Sequence, residues 1–430
     1  MSKLKVGFAR IDITPPLGVR MSGYSHERLA DGILDPLLAT AIAANDGENT
    51  AVIMSLDLVG IRQERMDEIR HNIAERIGTS PEAVFVACTH IHTGPYAGHQ
   101  GLPHLEDAEY ISYLMRKLSD VAVIAVDDMA PAEMYTAKNT VKNVSFIRRY
   151  RMKDGTVRTN PAWLDPNIVG PLREPDENVS LVLFKREGKK EIAVINFQVH
   201  PDTIGGTKYS ADYPKFVRDT YEKMMDNSLC MYINGTQGDS NHFDLMHMEH
   251  NEKSDGYGRT EYMGRAIASA AASVYTLAER VEGERIRFGQ KNVEVLYKKG
   301  TEEQMRAAAE GLKKYEENGK VGHPPMYIYT LMLNEPDTKI LYVTAVSIGD
   351  VAFAGFPGEP FTEMGVQTKA RSKFMTTITA CCANGYEGYL PVKEEYDLGG
   401  YEADTARYVK GSAEKLVDNS VALLDEMHGE

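Results

Sequence analysis

The chain has 430 residues, of which 43% are hydrophobic and 26% charged, and carries a formal net charge of −14. That is the composition of an ordinary globular protein, long enough for one large domain or two to three small ones. Its acidity argues against nucleic acid or an anionic membrane as the main partner, because both repel a negative surface.

The opening stretch, MSKLKVGFARIDITPPLGV, holds no apolar core of signal-peptide length, and no run reaches the roughly 18 apolar residues of a membrane-spanning helix. A cytoplasmic location, a small-molecule substrate and no integral membrane association are therefore expected. The oligomeric state is not legible in the pattern. In chain order the apolar periodicity predicts a strand at 51–56, a helix over 62–77 closed by Gly78, a strand at 83–88 and a helix over 107–126. Strands follow at 180–184, 192–197 and 230–233, then an Ala-rich helix over 258–281 and a charged helix over 302–318. Strands at 340–348, 351–356 and 376–382, a helical segment from about Thr362 and a closing amphipathic helix over 412–427 complete the pattern. This alternation predicts an α/β protein with helices covering extended sheets. Residues 149–177, rich in Pro, Gly and charge, read as a structured functional loop, so a single domain over 1–430 is expected. Cys88, Cys230, Cys381 and Cys382 have no metal-type spacing and are expected as reduced thiols, most of them buried.

Several predicted strands end in polar residues beside Gly or Pro. FVACTHIHTGPYAG carries His90 and His92, NFQVHP ends on His200, GFPGEPF holds Glu359, and CCANGYEGY supplies Tyr386 and Tyr389. Loops at strand ends are where α/β folds bind ligands, and imidazoles with a carboxylate are the donors of a catalytic zinc. In His-x-His on an extended backbone both side chains point to one side. Other readings remain open. The pair could be an ordinary hydrogen-bonded one, and Glu359 could simply cap a helix. His242, His247 and His250 in NHFDLMHMEH could form a second site or a mobile His- and Met-rich loop. Arg148 and Arg149 could be a solvated pair or a carboxylate clamp.

Taken together, the motifs VGFARIDITPPLGVRMSGY, THIHTGP, NFQVHP, NGTQGDSN, GEPFTEMG and NGYEGYLPVKEEYDLGGYEA resemble the zinc-dependent catalytic domain of the neutral, non-lysosomal ceramidase family. The resemblance runs over nearly the whole chain and is to a ceramidase-like protein rather than a true ceramidase. It implies mixed β-sheets flanked by helices in an α-β-β-α sandwich. It also implies one Zn2+ per chain held by His90, His200, Glu359 and Tyr389, and hydrolysis of an amide or ester by metal-bound hydroxide. His92 and Tyr401 would stabilise the oxyanion, and Arg148 or Arg149 would contact substrate. Asp239 or Glu363 would move a proton or fix a ligand histidine. The family's catalytic serine falls on Asn241, with Ser240 one position earlier, and the family's C-terminal immunoglobulin-like domain has no counterpart here. Alternatives are a zinc enzyme of another reaction type on a sugar-like substrate (isomerase, lyase or glycosidase) and a non-catalytic ligand-binding relative.

Overall fold

The structure, a computed structural model, describes residues 3–99, 105–251, 256–318, 328, 331 and 336–429. Strands β1 (Lys5–Asp12), β2 (Leu38–Asn45) and β3 (Thr50–Leu56) run antiparallel in register. Helix α1 (Gln63–Ile77) then carries the chain over to β4 (Val84–Cys88), parallel to β3. Gly78 ends α1 at φ 70°, where its N–H bonds the Ala74 carbonyl. Next come α2 (Ala108–Asp127), capped by the Asp107 side chain, and β5 (Ala130–Thr140). β6 (Asn178–Arg186) pairs antiparallel with β7 (Glu191–Phe197), and α3 (Asp212–Met224) crosses to β8 (Ser228–Asn234), parallel to β7. This first sheet has the order β8-β7-β6-β5-β1-β2-β3-β4. After α4 (Tyr257–Ser273), a second sheet of β9 (Ile286–Leu296), β10 (Thr338–Ile348), β11 (Val351–Gly355) and β12 (Thr376–Ala380) forms in that order. Helix α5 (Glu302–Glu317) lies between β9 and β10, α6 (Thr362–Arg371) crosses between the parallel β11 and β12, and α7 (Ser412–Gly429) closes the chain.

The two sheets face each other. Ile53, Phe85, Phe184 and Ile233 of the first share one apolar cluster with Val346, Phe353 and Ile378 of the second. Helices cover the outer faces: Met66, Ile69, Leu114 and Leu118 on one part of the first sheet, Tyr213, Val217, Met263 and Ile267 on another. Leu416, Val417 and Val421 of α7 pack with Val293, Val295, Leu341 and Val343 of the second sheet. The layering is α-β-β-α, as the resemblance implied. Phe353 sits at the centre, fully buried, with its ring 6.4 Å from that of Phe85. Phe353→Ala is expected to destabilise by about 3–5 kcal/mol, read as a lower denaturation midpoint at unchanged slope.

Three local differences from the sequence reading have physical causes. The Ala-rich LATAIAAN of β2 has helical propensity, yet it pairs along its full length with β1 and β3, and tertiary pairing overrides propensity. The helix expected to 281 stops at Ser273, and Glu279–Arg280 pairs with β5 instead. Residues 149–177 build a small three-stranded sheet, Ile168–Pro171, Arg149–Met152 and Val157–Thr159. All four cysteines are buried and free, and no described helix is long and apolar enough to cross a membrane.

Candidate metal centre

The carboxyl ends of the parallel strands from both sheets are stitched together by backbone bonds. Cys88 N–H donates to Cys382 O (3.2 Å), Cys381 N–H to Asn234 O (3.1 Å) and Cys382 N–H to Gly358 O (2.7 Å). Gly235 N–H reaches Phe197 O at 2.8 Å, and Gly238 N–H reaches Pro360 O at 2.8 Å. The loops after β4, β7, β8, β11 and β12 therefore leave from one place. A Cβ on Gly238 would lie 2.4 Å from the Glu359 carbonyl oxygen, so only glycine permits this approach. Gly238→Ala is expected to push the Glu359 loop aside and lower metal affinity by about 10- to 100-fold, the range for perturbed ligand support, read by chelator competition.

Four buried donor atoms meet there. His90 Nε2 lies 3.4 Å from His92 Nε2 and 3.2 Å from Glu359 Oε2. His200 Nε2 lies 3.1 Å from His92 Nε2 and 4.0 Å from Glu359 Oε2. The backbone at His90 is not extended, as His-x-His reasoning supposed: its φ is 69°, a left-handed conformation costing roughly 1–3 kcal/mol at a non-glycine residue. The surroundings impose it. His90 N–H donates to Leu58 O (2.9 Å), and its Nδ1 sits 2.7 Å from Val59 O, which puts the proton on Nδ1 and turns the Nε2 lone pair inward. His200 is held through its N–H, which donates to Ser240 Oγ (3.1 Å). Glu359 lies in register beside Tyr389, and Tyr386 donates to its Oε1 at 2.6 Å.

The electrostatics follow from burial and the mutual proximity of these groups. Burial acts to raise the Glu359 pKa, but His90, Tyr386 and Arg148 outweigh it and hold the carboxyl at about 2. Burial, Arg148 and the neighbouring imidazoles keep His200 well below the ordinary histidine value, and burial and His90 do the same to His92. His90 is displaced upward by Glu359 against burial. Glu359 Oε2 makes no well-aligned hydrogen bond, although it is buried and faces two imidazole nitrogens. His90 Nε2 and His200 Nε2 flank Glu359 Oε2 at 3.2 and 4.0 Å, so two imidazole nitrogens and a carboxylate oxygen, all buried, gather as the donor set of a zinc-type ion. The residues present thus fit a divalent metal of the zinc type.

His90, His92 and Glu359 floor a cavity of about 60 Å³ lined by Tyr24, His99, Tyr386, Tyr389 and Tyr401 among others, with His200 packed behind them. Tyr401 is 46% exposed at the mouth, its ring 5.5 Å from that of Tyr389. Burial of its hydroxyl end, then Glu359, pushes its phenol up to about 12. Through Gly23, Tyr24, Ser25 and Tyr401 the cavity adjoins an outer chamber of about 760 Å³ bordered by Lys298, Gln304, Ala307 and Asp404.

The arginines divide. Arg148 packs its guanidinium 5.4 Å from the Tyr389 ring centre, donating to Glu402 Oε1 (2.6 Å) and Gly238 O (2.7 Å). Burial lowers its pKa, but Tyr389, Glu402 and Glu359 raise it above the usual value. Arg149 is 0% exposed and spends its donors on Glu395, Glu402 and the Gly399 carbonyl. The expectation that Arg149 could meet substrate is corrected: it braces the small sheet against the C-terminal loops. Asp239 Oδ1 accepts from Thr362 N–H and Oγ1, both at 2.7 Å, at the start of α6. Glu363 pairs with Arg173 at 2.8 Å, and neither acid borders the cavity, so the proton-shuttle role is not supported by their placement. Asn241 donates to Asn160 Oδ1 (2.8 Å) and does not line the cavity, and Ser240 supports His200 from behind.

Three groups were missed in the sequence. Tyr24 bonds Asp202, and Asp202 Oδ1 stands 3.5 Å from His92 Nδ1. Arg28 donates to the His92 carbonyl (2.7 Å) and lies 4.2 Å from the Tyr24 ring centre. Burial raises the Asp202 carboxyl to about 6. The only local signal was Asp202 itself, two residues after His200.

No family model matches the sequence, and no curated protein matches it. Among solved structures, the chain is similar to the neutral ceramidase from Pseudomonas aeruginosa, with a TM-score of 0.74 at 18% identity over 98% of this chain and 75% of that one. It is likewise similar to a ceramidase complexed with C2, with a TM-score of 0.75 at 17% identity and the same coverage. The likeness shows that the fold is the neutral ceramidase one.

Proposed function

We propose that this protein is a zinc-dependent hydrolase that cleaves an N-acyl amide or ester bond in a small soluble substrate. The observation that carries this reading is the meeting of His90, His92, His200 and Glu359 from three strand ends, with His90, His92 and Glu359 at the floor of a cavity. The fold shared with ceramidases supports it. His90, His200 and Glu359, with Tyr389 beside them, would hold the metal, which supplies Lewis acidity and an activated water at neutral pH.

The remaining chemistry belongs to the chain. His92 stays uncharged, because burial and His90 oppose its protonation, and its Nε2 is placed to donate to the carbonyl oxygen of the scissile bond. Tyr401 keeps its proton and is a second donor from the mouth. Arg148 holds Tyr389 and the Gly238 turn in place through contacts on both. The narrow inner cavity admits the acyl end, and the polar groups Lys298, Gln304 and Asp404 border the chamber that takes the rest. Ala307, Ala308 and Leu331 share that border, so the chamber suits a substrate that carries both apolar and polar groups.

The test is a panel of N-acyl amines, N-acyl amino sugars and acyl esters, offered to protein with and without added zinc. Zinc-dependent release of free acid from at least one class is expected. Zinc-dependent conversion of sugars with no acyl release would replace this reading with an isomerase or lyase one.

A further inference from the structure

The loop that follows Ser240 carries a second set of metal-type donors. Asp244, His247 and His250 each bring one donor atom within 4.8 Å of the others. Asp244 Oδ2 lies 2.9 Å from His247 Nδ1 and 2.7 Å from His250 Nδ1. Asp244 is only 7% exposed, and its carboxylate is fixed: Oδ1 accepts from the N–H of Met246 (2.8 Å) and of His247 (3.3 Å). Asn251 closes the turn, accepting from Asp244 N–H (2.9 Å) and donating to the carbonyls of Asp244 (2.6 Å) and His247 (3.0 Å). Phe146 stacks on the His250 ring with centroids 6.1 Å apart, and Arg259 donates to the carbonyls of His242 (2.9 Å) and His250 (3.3 Å). His242 itself does not join this set. Its burial, Arg259 and His92 lower its pKa to about 3.

We infer that Asp244, His247 and His250 form a second divalent-metal site, distinct from the central one, that takes a borderline transition ion such as zinc. Two imidazole nitrogens and one carboxylate oxygen suit such an ion, whereas magnesium and calcium call for mostly oxygen ligands. The three donor atoms lie within 4.8 Å of one another, and the 2.7 and 2.9 Å hydrogen bonds to Asp244 need to open by only about 0.5 Å to reach the spacing of ligands around one ion. Without metal, the two imidazoles hydrogen-bond to the carboxylate; with it, a neutral ring carries its proton on Nε2 and turns the Nδ1 lone pair to the ion. The His247 side chain is 52% exposed, so an ion reaches the site from solvent. Once bound, the ion clasps the loop immediately after Ser240, the residue that supports His200.

The experiment measures zinc per chain by plasma mass spectrometry after equilibration against a weak chelator. It uses the full-length protein, a His247→Ala/His250→Ala variant, a His200→Ala/Glu359→Gln variant and all four changes combined. The expected contents are about two, one, one and zero. The inference is overturned if the full-length protein and the His247→Ala/His250→Ala variant bind the same amount, whatever that amount is. The His200→Ala/Glu359→Gln arm separately reports the central site, so the two readings fail independently. Cobalt(II) in place of zinc adds a second readout: the His247→Ala/His250→Ala variant should lose one of two visible absorption components.

Discussion

His200→Ala is expected to remove the central metal equivalent and to lower kcat by about 10³-fold or more. The imidazole is one of the proposed ligands, its Nε2 lying 3.1 Å from His92 Nε2 and 4.0 Å from Glu359 Oε2. Without it the metal loses a nitrogen ligand, and Glu359 is left with one imidazole fewer beside it. Metal-based charge stabilisation is worth several kcal/mol, and each 1.4 kcal/mol is about tenfold in rate. Plasma mass spectrometry and steady-state kinetics check both parts. A variant that keeps the metal and its activity would remove His200 from the centre. Glu359→Gln separates charge from shape: it preserves the side-chain volume and is expected to lose metal as well, because the carboxylate is held ionised by His90 and Tyr386.

Tyr401→Phe is expected to lower kcat by about 10²- to 10³-fold with little change in KM or metal content. That is the usual cost of removing one oxyanion donor. Tyr401 is 46% exposed at the cavity mouth and its hydroxyl bonds the neighbouring Tyr389, so stability should fall by only about 0.5–1.5 kcal/mol, the worth of one hydrogen bond. A parallel fall in metal content would instead make Tyr401 a ligand or a support for Tyr389, whose ring lies 5.5 Å away. Full retention of kcat would exclude it from the chemistry. Together with His200→Ala, this variant distinguishes a metal that only binds from a metal that works with placed donors.

The parallel strands were legible because both their faces are covered, by helices and by the opposing sheet. Such strands read as largely apolar runs, as at β3, β4, β7, β8 and β11, while β12 is β-branched and Thr-rich. His90, His200 and Glu359 could be picked out for the same reason: each is a polar residue standing where one of those runs stops beside Gly or Pro. The Ala-rich β2 was not legible, since its strand character comes from the neighbours it pairs with rather than from its own residues.

Nothing local separates Arg148 from Arg149. Adjacent side chains on extended backbone face opposite ways, and the choice is made by Glu395 and Glu402, more than 240 residues further along the chain. The same holds for Asp202 opposite His92, for Tyr386 against Glu359, and for Ser240 behind His200. Apolar periodicity and residue type are local properties, so the buried parallel strands, most helices and the chemical groups at their ends could be read from the chain, whereas β1, β2, β5 and β9 could not. Only the tertiary structure decided that five strand ends meet, which nitrogen of each imidazole faces the centre and which charges are consumed in bracing it. Those outcomes depend on contacts between residues far apart in the chain, and on a left-handed turn at His90 that its neighbours enforce.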